Sequence, residues 1–260
     1  MEALRAIPGN PFGVDIAGFD PTEPSAAARQ KIAALHVHSA PTPYFNRVLG
    51  IDESTAEVVD VALAYFSERF TPCRFDINPF YTGPELLAAL NRAGFHPKEF
   101  QTNLYMHPID AEPPSVPGVK VRPVRESEIG FFTELYERAY YGPDAPAMLS
   151  KLRSASIEAR ATRPEWTFYL ASVDGMPAGG AALHMRDGVA TLAGGATIFT
   201  LRGRGCQRAL LQQRLFDAAE AGCDLVVSRC GVGSASQRNM ERVGLRTGYT
   251  KSIWQQAGIS

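Results

Sequence analysis

The stretch TLRGRGCQRALL, Thr200–Leu211, sets two glycines and two arginines in alternation directly before an amphipathic run. Glycine lets backbone amides approach a ligand that a Cβ would hold off, and the free N–H groups of a helix's first turn favour an anion there. The stretch therefore reads as a phosphate cradle. A mononucleotide loop would need GxxxxGK[ST], whose lysine reaches the terminal phosphates and whose hydroxyl binds magnesium. Neither residue is present. A dinucleotide fingerprint would need a third glycine within a βαβ unit, and GRGCQR lacks it.

Working outward, VKVRPVRE (Val119–Glu126) alternates like a strand, and IGFFTELYERAYYG (Ile129–Gly142) has helical spacing closed by a glycine. A second helix is expected over Pro146–Thr162. The run from Trp166 to Phe199 contains three strand-like segments, broken by Asp174-Gly175 and Asp187-Gly188, which are hairpin signals. After the cradle, CQRALLQQRLFDAAEAG predicts a helix stopped at Gly222, and CDLVVSRC predicts a buried strand. SASQRNMERVGL is helical with Ser234 or Ser236 as N-cap, and GYTKSIWQQ alternates as a last strand. The order is β-α-α-β-β-β-α-β-α-β.

The segment DAEPPSVPG, Asp110–Gly118, interrupts this patterning with three prolines and reads as a linker. It divides the chain into residues 1–114 and 115–260. The first part carries a fainter copy of the second part's tail. LLAALNRAGFHPKEFQTNLYM (Leu86–Met106) and ASQRNMERVGLRTGYTKSIWQ (Ala235–Gln255) share an Arg-x-Gly-apolar helix end and an alternating strand. A buried strand and a longer helix precede each, which suggests an internal repeat. Where the second copy has LRGRG, the first has NRVLGIDES, and its two acids would repel a phosphate.

Composition excludes several classes. A 260-residue chain with 45% hydrophobic and 20% charged residues is globular, and a net charge of −1 offers no field for nucleic acid or an anionic membrane. Its four cysteines show no CxxC spacing, so no metal site and no disulfide framework is expected. There is no apolar run of membrane-spanning length. A cytoplasmic monomer or homodimer follows as the expectation.

Arg202–Gln207 resembles the Arg/Gln-x-x-Gly-x-Gly/Ala signature of the GCN5-related N-acetyltransferase superfamily, and Val119–Gln256 is similar to that family in element order over its full length. The resemblance implies an α/β (α+β) fold with a mixed central sheet flanked by helices, here as two tandem domains of which the first is degenerate. It also implies acetyl-CoA as cofactor. The backbone of Arg202, Gly203, Arg204, Gly205, Cys206 and Gln207 would hold its pyrophosphate. Gly195, Ala196, Thr197 and Ile198 would pair with the pantetheine arm beside a bulge at Gly194-Gly195-Ala196, and Asn239 would bond the same arm. The thioester carbonyl would meet an N–H near Thr197 or Ile198. This chain departs from the pattern at Gln207, which costs little if its side chain points outward, and at Phe199, where a proline is frequent. It departs again at Met240, where many members carry a tyrosine that protonates the leaving thiolate. A thioether supplies no proton.

The resemblance further implies direct transfer to an amine. Candidate bases are Glu134, Glu137, His184, Asp144 or water, and Tyr249 is the nearest phenol to Met240 in sequence. The loop after the first helix, YERAYYGPDAP, offers Tyr140 and Tyr141 as aromatic walls and Asp144 as a carboxylate for an ammonium, which favours a small amine or amino-acid-like acceptor. A protein that only binds acetyl-CoA, as a sensor, is the alternative.

Overall fold

Two short hairpin turns set the frame of the second half. Asp174 and Gly175 have φ of +49° and +80°, and Asp187 and Gly188 have +51° and +74°, the paired left-handed residues of a type I′ turn. They fold β7 (Trp166–Val173), β8 (Met176–Arg186) and β9 (Val189–Thr197) into an antiparallel meander, and β6 (Val119–Pro123) pairs antiparallel with β7. This arrangement comes from a computed structural model that describes residues 7–19, 32–108, 112–142 and 147–258, with only the backbone at Met148.

The chain forms two compact units, residues 1–102 with 249–260 and residues 103–248. In the second unit, β6 to β9 are joined by β10 (Leu225–Gly231), which runs parallel to β9, and by the end of β5 (Phe95–Met106). Helices α3 (Ile129–Tyr141) and α4 (Ala147–Ala161) cover one face, where Phe132, Leu135, Ile157, Phe168 and Ala182 pack together. Helices α5 (Cys206–Glu220) and α6 (Ala235–Arg242) belong to the other face, where Leu210 of α5 joins Tyr169, Leu183, Leu192 and Val226 in one core. Both end in Schellman motifs. Cys223 N–H bonds Ala218 O at 3.0 Å and Gly222 N–H bonds Ala219 O at 2.8 Å, while Leu245 and Gly244 repeat the pattern on Met240 and Glu241. Each element expected between Val119 and Gln256 is present, and Ser234 is the N-cap that accepts from Gln237 N–H at 3.1 Å.

In the first unit, β1 (Val14–Phe19), β2 (Ile32–Val37) and β3 (Arg47–Leu49) pair antiparallel in succession, and β3 runs parallel to β4 (Arg74–Ile77). Next to β4 lies β11 (Arg246–Gln256), the chain's last strand, paired through Ser252↔Ile77 and Trp254↔Phe75. Helices α1 (Val58–Ser67) and α2 (Pro84–Arg92) close a core of Ile32, Val59, Phe66, Phe75, Leu86, Phe95 and Trp254. The units therefore do not divide at the proline-rich linker. Strands β5 and β11 each run through both units, so the breaks fall inside strands, at 102/103 and 248/249.

Trp254 is 6% exposed in a core built otherwise from the first hundred residues. Trp254→Ala is expected to cost about 3–5 kcal/mol, the usual range for emptying a buried aromatic site. Urea unfolding should show that loss, with residues 1–102 becoming the first segment open to protease.

Candidate functional site

Strand β9 carries one residue more than its partner. Ala181 pairs with Gly195 and Ala182 with Ala193, which leaves Gly194 bulged at φ +58°. A Cβ there would run into the Tyr136 hydroxyl, which together with the positive φ favours glycine. The Gly194 carbonyl accepts from Arg214 Nη1 at 3.1 Å, and the same nitrogen reaches Ala182 O at 3.0 Å on β8. Arg214 Nε closes onto Leu210 O at 2.9 Å. This guanidinium is 1% exposed, and burial pushes its pKa down to about 10. Nearby, Tyr169 Oη donates to Asp217 Oδ2 at 2.5 Å; burial first, then that carboxylate, drives the phenol's pKa upward.

The bulge lies where β9 leaves its parallel neighbour. Register between β10 and β9 runs from Leu225↔Val189 to Val227↔Thr191 and no further, whereas β9 stays on β8 as far as Gly179↔Thr197. Ile198 N–H bonds Ala178 O at 2.8 Å, so the alternation of an antiparallel ladder turns the N–H of Thr197 away from β8, toward the open edge. Of the two amides expected to meet a thioester carbonyl, Ile198 is thus already engaged. The Thr197 N–H faces the open edge.

From this edge the chain turns through Phe199–Leu201 into α5, whose N-cap Gly205 is left-handed at φ +81° and follows Gly203 at +78°. Among the described residues, the backbone N–H groups of Gly203 through Arg208 donate to no acceptor. They form a row of bare donors at a helix N-terminus. The two arginines are engaged elsewhere. Arg202 Nε donates to Thr197 O at 3.1 Å, and Arg204 pairs with Asp174 in the β7–β8 turn. Gln207 does not point outward: its amide lies against Gly195, where a Cβ would come within 2.8 Å of Nε2, because side chains in a first helical turn lean back toward the preceding segment. Cys206 is buried, and burial raises its thiol pKa. Ala196 is buried among the α3 side chains, and Phe199 is exposed. Asn239, on α6, is half-buried and accepts from Arg242 Nη1 at 3.0 Å.

The other expected residues scatter. His184 sits three residues along β8 from Ala181, ~10 Å from the bulge region at strand spacing. Its ring packs on Trp166 at 4.7 Å, and burial lowers its pKa. Tyr249 falls in the first unit, with its ring edge-on to Phe80 at 5.8 Å. Glu134 is exposed on α3; Glu137 accepts from the hydroxyls of Ser150 and Ser154 on α4. Met240 is 6% exposed in the core. Asp144 lies outside the described residues.

Tyr140 and Tyr141 carry a partner that periodicity did not point to. Arg153 of α4 lies 4.2 Å from the Tyr140 ring centre and 4.8 Å from that of Tyr141, and its Nη2 donates to Tyr141 Oη at 2.7 Å. These aromatic walls already hold a cation. Arg214 was missed as well, since a single arginine inside an amphipathic helix reads as surface charge.

This fold is that of the GCN5-related N-acetyltransferases. The chain superposes on such a protein from Kribbella flavida with a TM-score of 0.65 at 17% identity, covering 93% of this chain and 90% of that one. A tandem protein of the same class from the clavulanic acid biosynthesis pathway gives 0.59 at 16% identity, over 89% and 80%. One from Sphaerobacter thermophilus gives 0.63 at 17% identity over 77% of this chain, which spans 66% of that protein's length. In sequence the chain matches no family model and no curated protein. No helix among the described residues is long and apolar enough to cross a membrane.

His184 generates a pH prediction. Its folded pKa lies below the ordinary imidazole value of 6.5, so acidification protonates the unfolded chain first and stability falls as pH drops below 6.5. Melting curves of the wild type and His184→Phe should diverge in that direction, with the variant losing less between pH 7 and 5.

Proposed function

We propose that the second unit binds acetyl-CoA and transfers its acetyl group to the amine of a small, amino-acid-like acceptor by direct attack in a ternary complex. The row of bare amides from Gly203 to Arg208, at the end of a strand edge opened by a bulge, carries this reading. The amides and the α5 dipole hold the pyrophosphate, with roughly 0.3–1 kcal/mol from the dipole for a nearby negative charge. The open edge of β9 around Gly195 and Thr197 takes the pantetheine amides as a further strand would, and Asn239 bonds the same arm from α6. Acetyl-CoA supplies the activated acyl group; Thr197 N–H polarises its carbonyl.

On the acceptor side, Tyr140 and Tyr141 form the walls and the Arg153 guanidinium between them meets a carboxylate, which is how an amino-acid-like acceptor is oriented. Glu134 or water removes the amine's proton, since Glu137 is engaged by two serines and His184 lies along the strand. Thiols ionise near pH 8.5, so the leaving group departs as a thiolate and the loss of a phenol at Met240 is tolerated.

The first unit is a degenerate second copy. In this reading residues 1–114 and 115–260 are the two copies as encoded, and the compact units differ from them by exchange of strand ends. The two acids that precede its α1 are held by other partners, Glu53 by the start of α2. Asp52 accepts from Ser54 and Thr55 hydroxyls at 2.7 and 3.1 Å, while Glu53 takes the N–H groups of Glu85 and Leu86 at 2.9 and 3.1 Å. Partial desolvation opposes the Glu53 charge, but the amides of Leu86, Glu85 and Gly83 win and lower its pKa. The protein acts in the cytoplasm as a monomer or homodimer, without nucleic acid.

Calorimetric titration with acetyl-CoA is expected to give micromolar binding. Arg208→Glu puts a carboxylate beside the cradle at an exposed position and should weaken it at least about tenfold, ~1.4 kcal/mol. An amine panel should then release CoA, fastest with carboxylate-bearing acceptors. Binding without release from any amine would mark a sensor instead, and no binding would refute both readings.

A further inference from the structure

The first unit holds three metal-ligating side chains on one face of its outer hairpin. Asp15 of β1 lies directly opposite His36 of β2, which puts both side chains on the same side of the ladder, and His38 follows two residues later on that side. The position of His38 is set by Gly13, whose carbonyl takes the His38 N–H at 3.1 Å and where a Cβ would lie 2.8 Å from the His38 Cβ. The ligand atoms of Asp15, His36 and His38 all lie within 4.8 Å of one another.

The second observation is the state of His36. Its ring is 0% exposed, edge-on to the rings of Tyr65 and Phe66 at 6.1 and 5.9 Å. Thr71 Oγ1 donates its single proton to Arg69 O at 2.9 Å, so it can only accept from His36 Nε2, 3.2 Å away. That places the imidazole proton on Nε2 and leaves Nδ1 a bare lone pair. Among the described residues, Nδ1 is buried without a hydrogen-bond partner and faces Asp15 Oδ2 at 3.9 Å. Two lone-pair atoms confront each other across a gap too long for a hydrogen bond. The tautomer, fixed by a hydroxyl that is itself anchored, is the outer-shell arrangement found behind metal-bound histidines.

We propose that Asp15, His36 Nδ1 and His38 Nε2 bind a first-row divalent cation of the zinc class, with water completing the shell, and that the ion fastens β1 to β2. Donors sharing one such ion at about 2.0–2.1 Å stand roughly 3 Å apart. His38 Nε2 and Asp15 Oδ2 are 2.9 Å apart, so the ion would draw His36 Nδ1 in toward a pair already at that spacing. The side chains of His38 and Asp15 are 54% and 48% exposed, which leaves a path for the ion and room for water. Imidazole and carboxylate suit zinc or iron(II) better than calcium or magnesium. The expectation of no metal followed cysteine spacing; these donors are joined by cross-strand register, and none is a cysteine.

Full-length protein stripped with chelator and dialysed against Zn2+ is expected to retain one ion per chain and to melt at a higher temperature with it. Asp15→Asn and His38→Ala, both at half-exposed positions, should melt as the metal-free wild type does and lose binding. Thr71→Val, which removes the acceptor that orients His36, should weaken it about tenfold or more. A wild type that retains no zinc, or variants that retain as much as the wild type, would overturn the proposal.

Discussion

The second unit depends on one extra residue held in place by one buried arginine. Gly194 bulges from β9 at a left-handed backbone angle, where a Cβ would meet the Tyr136 hydroxyl, and Arg214 bonds its carbonyl. A desolvated guanidinium is costly, and its three carbonyl partners are neutral, so its presence in a closed core calls for a reason. The reason lies in geometry: a bulge bends its strand and raises its twist. Here β9 parts from β10 next to that bend, and an edge in the middle of a sheet is left unpaired. Such an edge would ordinarily be closed by another strand.

The opening and the cradle are consecutive in the chain. Past the bulge, Thr197 presents its amide to the gap; past Thr197, the chain turns at Phe199–Leu201 and enters α5 with its first amides bare. A ligand with a strand-like amide arm and a diphosphate matches both features in order. Charged side chains contribute less than the motif suggests, because Arg202 and Arg204 serve to brace the turn against Thr197 and Asp174. In the proposed reading, anion affinity at this site is a backbone property, consistent with a chain whose net charge is −1.

Much of this was legible in sequence because it is local. Asp174-Gly175 and Asp187-Gly188 specify their turns through positive φ, Gly222 and Gly244 stop their helices, and the glycines at 194 and 195 mark the irregular strand. What failed to show depends on distant partners. Residues 95–106 and 246–256 read as ordinary alternating strands, and nothing in their alternation says that each serves two units. Strands β1, β2 and β3 are short and their pairing partners are set by the fold, so no pattern announced them. Arg153 among tyrosines, Arg214 under the bulge and Asp15 beside two histidines are likewise products of packing and register, invisible to spacing along the chain.

Amide hydrogen exchange across residues 189–210, with and without acetyl-CoA, tests the central claim most directly. The account predicts fast exchange at Gly203 to Arg208 and at Thr197 in the free protein, and marked slowing of these amides when the ligand is added. Unchanged exchange there at a ligand concentration that saturates binding would contradict it, because the pyrophosphate would then rest on some other surface.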